Sequence, residues 1–189
     1  MTSIFSLTAM LLYAGAWIAL LRTLSADEPR DRVGTFDGLL GYLAVMAHGL
    51  VLIPAFFLGG HPNLPLGSTF SLIALIIAAL FLAVRLFQPI QGLGVLIFPF
   101  AFTGVVFGWL LPGPTYAAKL YGATSLFHLL GAGLACALLS LSLAQALLLH
   151  FHDRDLKRKR AGGFFKSFPP IQTMENVLFQ MVYLGFGLL

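Results

Sequence analysis

This sequence predicts an all-α fold, a polytopic transmembrane bundle with about six helices in this chain, and three observations carry that expectation. Hydrophobic residues make up 59% of the 189 and charged residues only 10%, too little polar material to cover a soluble domain. The apolar residues gather into blocks near the ~20 residues that cross a ~30 Å hydrocarbon core. Ten of the eleven Lys and Arg residues fall in every second gap between these blocks, which is how orientation in a bilayer is encoded.

The first block, 4–24, has no basic leader and meets its first charge only at Arg22. It is too long for the apolar region of a cleavable signal peptide, so it stays as a helix. The second covers 36–59 and the third 69–87. The gap between them holds Pro62, Pro65 and Gly67 and reads as a tight external loop. The fourth, 93–111, contains Pro99, expected to bend it, and the pair Gly104 and Gly108. That GxxxG spacing lets a neighbouring backbone approach, and packing within the bundle is favoured over a dimer interface.

The fifth block is 124–149, followed by a basic stretch, 150–172, with Gly162-Gly163 and a terminal Phe168-Pro169-Pro170. The prolines stop any continuation and allow a new helix just afterwards, with Glu175 favourable in its first turn. A short sixth span, 173–189, is apolar to its end with no flanking charge, as expected of a chain cut short. No gap is long enough to fold by itself, so 1–189 reads as a single transmembrane domain.

Arg22, Arg30 and Arg32 follow the first block, Arg85 the third, and Arg154, Lys157, Arg158, Lys159, Arg160 and Lys166 the fifth; the intervening gaps hold only Lys119. The positive-inside rule makes the basic gaps cytoplasmic, stretch 150–172 included, and puts the N-terminus outside. The net charge of +4 belongs to these flanks, where Asp27, Glu28, Asp31, Asp153 and Asp155 are mixed in, so nucleic acid is not an expected partner and membrane lipids are. Specific binding of anionic headgroups by 157–160 is the weaker reading of that run. Cys136 is the single cysteine, which excludes an intrachain disulfide and CxxC chemistry.

Chemistry in such a bundle must come from polar side chains that the bilayer would otherwise reject. No carboxylate lies at mid-depth, which argues against a proton-driven pump. HExxH, the Walker loop, GxSxG and paired-acid spacings are missing, so no catalytic residue is assigned and enzymatic activity is not expected. What remains is His48, in Val45-Met46-Ala47-His48-Gly49-Leu50, and His128, in Ser125-Leu126-Phe127-His128-Leu129-Leu130. An imidazole in hydrocarbon must hydrogen-bond, meet water or ligate a metal, and the neutral ring is a standard haem axial ligand. For one lone histidine a bond to Ser, Thr or Tyr of another helix is the plainer expectation; two on different helices strengthen the ligand reading. His48 falls near the middle of its span and His128 about one turn into the fifth, so each is expected to pair with a ligand from elsewhere. His61 belongs to the external loop, while His150 and His152 read as interfacial, on different helix faces. Trp109, Tyr116 and Tyr121 form an outer aromatic belt.

The run from His128 through Gly131-Ala132-Gly133-Leu134-Ala135-Cys136 to Leu149, the basic loop after it, then Phe168-Pro169-Pro170-Ile171-Gln172-Thr173-Met174-Glu175 and Leu184-Gly185-Phe186 resemble the cytochrome c assembly membrane family. The likeness is to its short CcsA/HemX-like branch, which includes the YpjD-type inner-membrane proteins. It is most specific over 128–189; His48 matches the family's second-helix histidine more loosely. The resemblance implies eight helices in the full protein, about two of them beyond Leu189, a bacterial inner-membrane location and haem handling in cytochrome c biogenesis. It also implies haem as cofactor, with His48 and His128 as candidate ligands to its iron, and cytochrome c maturation proteins or other membrane proteins as partners. The sequence departs from the family in one respect: only Trp17 and Trp109 occur, so the tryptophan-rich external segment is missing, which weighs against haem presentation and ligase activity.

The leading expectation is therefore an integral membrane haem-handling protein of the cytochrome c assembly type. The rival is a non-catalytic accessory or regulatory membrane protein whose histidines only staple helices together. A transporter would need a polar path, and the spans offer little beyond Ser and Thr near helix ends.

Overall fold

Six α-helices account for almost all the residues that the structure, a computed structural model, describes, namely 2–25, 36–57, 65–111, 122–157 and 168–189. They are α1 (Thr2–Ser25), α2 (Phe36–Phe57), α3 (Leu66–Arg85), α4 (Gly94–Leu110), α5 (Gly122–Lys157) and α6 (Ile171–Leu188), with a single 3-10 turn, Gln91–Leu93, leading into α4. No strand occurs among the described residues, so the all-α bundle expected from the sequence is the architecture found.

Among the described residues five spans are long and apolar enough to cross a membrane, one each in α1 to α5, the fourth including the 3-10 turn. Only 33–44% of their residues are buried inside the bundle, and Leu11, Met46, Leu66 and Leu143 stand on the outside. An outer surface so apolar matches a hydrocarbon solvent and not water. α6 falls short of the same hydropathy because Gln172, Glu175, Asn176 and Gln180 interrupt it.

Sequential helices pair as α1 with α2, α3 with α4 and α5 with α6; α1 also packs on α4, and α3 on both α2 and α5. The core between them holds Tyr13, Leu20, Phe81, Leu82, Leu93, Phe98 and Leu141, all almost fully buried. Phe81 meets Phe98 edge-to-face at 5.7 Å, a preferred aromatic geometry.

Small residues decide how closely α3 and α4 approach. A Cβ built on Gly104 would collide with the Cβ of Ala74, and one on Gly108 would sit 2.9 Å from the Ser71 side chain. The GxxxG pair therefore serves contact inside the bundle, as its spacing suggests. Pro99 has a different consequence. Lacking an N–H, it cannot bond the Val95 carbonyl one turn earlier. The indole Nε1 of Trp17 on α1 donates to that oxygen at 3.0 Å. A proline defect in α4 is thus repaired by a side chain of α1, which matters where no water can do it.

The end of the bundle that carries Arg22, Arg85 and Lys157 is closed by two contacts. Arg85, in the last turn of α3, donates to Asp37, in the first turn of α2, at 2.7 Å, with side chains only 9% and 2% exposed. Tyr42 adds a hydrogen bond from its hydroxyl to the Leu82 carbonyl at 3.1 Å. The second contact is Phe168, which lies over Gly92 so closely that a Cβ there would overlap its ring, with His152 edge-on at 6.0 Å.

The fifth helix corrects one expectation. It runs to Lys157 instead of ending near Leu149, because no Gly or Pro intervenes and Lys157 pairs with Asp153 one turn before it at 2.6 Å. His150 is consequently exposed on a helix, whereas His152 is buried beneath Phe168. Gly162-Gly163, His61, Tyr116, Tyr121, Lys119 and 158–167 lie outside the described residues.

Candidate functional site

His48 sits on α2 where α1 and α3 converge, and none of the three side chains that meet there is solvent-accessible: Tyr13, His48 and Ser71 are each 0% exposed. Tyr13 Oη lies 3.2 Å from His48 Nδ1, and Ser71 Oγ lies 2.8 Å from Nε2. The two rings stand at 89°, with centroids 5.8 Å apart. A neutral imidazole offers one donor and one acceptor, and a hydroxyl can play either role, so both nitrogens are satisfied in either tautomer. Such satisfaction matters in a buried site, since an unmatched polar group there costs ~1–3 kcal/mol.

Tyr13 packs against Phe98 with ring centroids 6.4 Å apart, and Gly108 passes Ser71 so closely that a Cβ there would lie 2.9 Å from the serine side chain.

His128 has the opposite setting. It lies in the first part of α5, exposed, beside Phe127, which is 75% exposed. Further along α5, Gly133 faces Ile76 of α3, and Leu138 and Leu139 face Gly185 of α6. The structure does not bring His48 and His128 to one site; the first closes a three-helix knot and the second faces away from the bundle.

Two apolar grooves flank the core. One, about 240 Å³, is lined by Tyr13, Trp17, Phe98, Pro99 and Phe102 among others; a second, about 320 Å³, lies between α3, α4 and α5 and is lined mostly by Ile, Leu and Phe. Neither histidine lines either groove. Among the described residues there is no group of three or more His, Cys, Asp and Glu side chains that could hold a metal ion.

Haem can be tested against each ring. At His48 the residues present do not fit: an axial ligand needs a free ring nitrogen, and both are engaged. Iron could be taken there only if the bond to Ser71 or to Tyr13 were given up. At His128 the donor chemistry fits, since an imidazole is a standard axial ligand and this one is exposed on α5.

The spans hold little else that is polar and open. Thr8, Thr23, Ser140 and Ser142 each bond back to the carbonyl four residues earlier, and Gln145 donates across to the Met174 carbonyl on α6 at 3.2 Å. Polar groups turned inward in this way do not make a continuous path through the bundle.

Sequence reasoning picked out His48 but neither of its partners. Ser71 lies in a helix otherwise read as plain apolar span, and Tyr13 gave no pattern beyond an apolar block. The available signal was chemical: a buried histidine requires two partners, and Tyr13 and Ser71 are among the few hydroxyls deep enough to supply them. Comparison with family models, with curated proteins and with solved structures finds no match to this chain.

Proposed function

We propose that this protein is an integral membrane haem-handling protein of the cytochrome c assembly type, in which His128, and not the doubly hydrogen-bonded His48, is the ring that meets iron. One observation carries the reading: an imidazole stands exposed on α5, three residues before the stretch 131–157 that is long and apolar enough to cross a bilayer. A titratable ring that enters hydrocarbon is expensive unless a ligand or partner takes it, and such residues mark functional sites by default. The resemblance over 128–189 supplies the class of ligand, and a bacterial inner membrane follows from the same resemblance. Haem would bring the redox-active iron; the chain would contribute one ring nitrogen of His128.

The test is an optical spectrum of the detergent-purified protein, oxidised and reduced. A Soret band that His128→Ala abolishes and His48→Gln leaves in place is the expected result. A protein without haem absorbance after reconstitution with haemin, or one whose spectrum ignores His128→Ala, would end the proposal.

A second reading is favoured by a specific observation, the double hydrogen bonding of His48. It takes the protein as a non-catalytic accessory or regulatory membrane protein with structural histidines. Under it, neither histidine variant changes a spectrum, and His48→Ala lowers stability while His48→Gln, which can keep one bond, lowers it less.

A further inference from the structure

The groove of about 320 Å³ between α3, α4 and α5 opens among three helices that each carry a span long and apolar enough to cross a membrane. Its lining residues, Ile77, Leu96, Phe100, Leu143 and Leu147 among them, fall in the half of each helix nearer the end with Arg22, Arg85 and Lys157. The hydroxyl of Ser140, the polar side chain of the lining, is already bonded to the Cys136 carbonyl at 2.7 Å. Nothing in the groove therefore asks for a polar ligand. α6 packs on the opposite side of α5, through Leu138 and Gln145, and none of its residues lines the groove.

An unmatched cation stands in line with this groove. At about 100° per residue, Arg154 falls within about 60° of arc of Ser140, Leu143 and Leu147, and ~10 Å beyond Leu147 along the axis. Helical side chains lean back over the preceding turn, which directs that of Arg154 towards the groove. Arg154 is exposed, and the ion pairs among the described residues, Arg85 with Asp37 and Lys157 with Asp153, leave its charge unmatched. Asp155, its neighbour in sequence, points about 100° round the helix.

We propose that the groove and Arg154 form a site for an anionic phospholipid, with one acyl chain lying along Leu143 and Leu147 and the phosphate paired with the guanidinium. The two parts select that occupant together. An apolar groove between membrane-spanning helices takes hydrocarbon, and a planar guanidinium in the last turn of a span takes phosphate, frequently through two parallel hydrogen bonds. Basic pockets between transmembrane helices recognise anionic headgroups by this chemistry. Free phosphate would gain nothing from the groove. The inference is independent of what His128 binds.

Lipid titration of the delipidated full chain, read by native mass spectrometry, tests it. Phosphatidylglycerol should bind about fivefold more tightly than phosphatidylcholine with the same acyl chains. Arg154→Gln should remove that difference, whereas Arg22→Gln, exposed at the same end of the bundle on α1, should leave it. Leu147→Trp and Leu143→Trp, at lining positions 45% and 63% exposed, fill the groove without entering the core and should weaken binding of both lipids. Inorganic phosphate should displace neither. In native membranes, a photoreactive benzophenone amino acid in place of Leu147 should cross-link to lipid. Equal affinity for the two lipids, equal effects of Arg154→Gln and Arg22→Gln, undiminished binding by both tryptophan variants, or displacement by inorganic phosphate would each overturn the proposal. So would a cross-link to protein, whether to further chain of this protein or to another, which would show that a helix covers the groove.

Discussion

Trp17→Phe should destabilise this protein through a carbonyl that belongs to another helix. The Val95 oxygen loses its helical partner to Pro99 and receives the Trp17 indole N–H at 3.0 Å instead. Phenylalanine keeps most of the packing in the groove beside Phe98 and Phe102 but has no donor. An unmet buried acceptor generally costs ~1–3 kcal/mol. Interhelical hydrogen bonds within membranes are weaker, averaging ~0.6 kcal/mol with a maximum of ~1.7. A loss of about 1 kcal/mol follows for the single substitution, within the range those principles set. The decisive arm is the Pro99→Ala background, where residue 99 recovers an N–H and can bond Val95 within α4. There Trp17→Phe should cost only a few tenths of a kcal/mol, leaving a coupling close to the whole single-mutant effect. Reversible unfolding in mixed micelles, followed by circular dichroism, measures all four corners of the cycle. Additivity within ~0.3–0.5 kcal/mol would show that the indole bond does not compensate for the proline.

The same unfolding assay reaches two other features. Gly104→Ala drives a methyl into Ala74 and should cost ~1–3 kcal/mol by forcing α3 from α4; adding Ala74→Gly should recover most of it, and failure to recover would place the cost elsewhere. Asp37→Asn takes the charge from the acceptor of an ion pair whose side chains are only 9% and 2% exposed and should cost ~3–5 kcal/mol. Asp153→Asn breaks the exposed pair with Lys157, whose side chains are 43% and 75% exposed, and should cost under ~1 kcal/mol. Comparable losses at the two aspartates would refute burial as the distinguishing factor.

Legibility from the sequence tracks how local the cause is. The helices α1 to α5 were readable because a span is specified by its own run of apolar residues, and the prolines at 169 and 170 marked where α6 begins. The end of α5 was misjudged because apolarity marks where a helix meets the headgroups, not where it stops; hydrogen bonding and the Asp153–Lys157 pair carry it on for two more turns. His48 and His128 looked equivalent in sequence, each a histidine in an apolar run.

Composition and block spacing by themselves determined that the chain is helical and fit for a bilayer, since hydrophobic length and charge distribution are properties of segments. Only the tertiary structure decided what each polar side chain is for. Whether an imidazole is satisfied depends on hydroxyls 35 and 23 residues away in the chain, and whether a carbonyl freed by proline is met depends on an indole 78 residues away. Hydrogen bonds act over about 3 Å, and no one-dimensional pattern reports which residues folding brings within that distance.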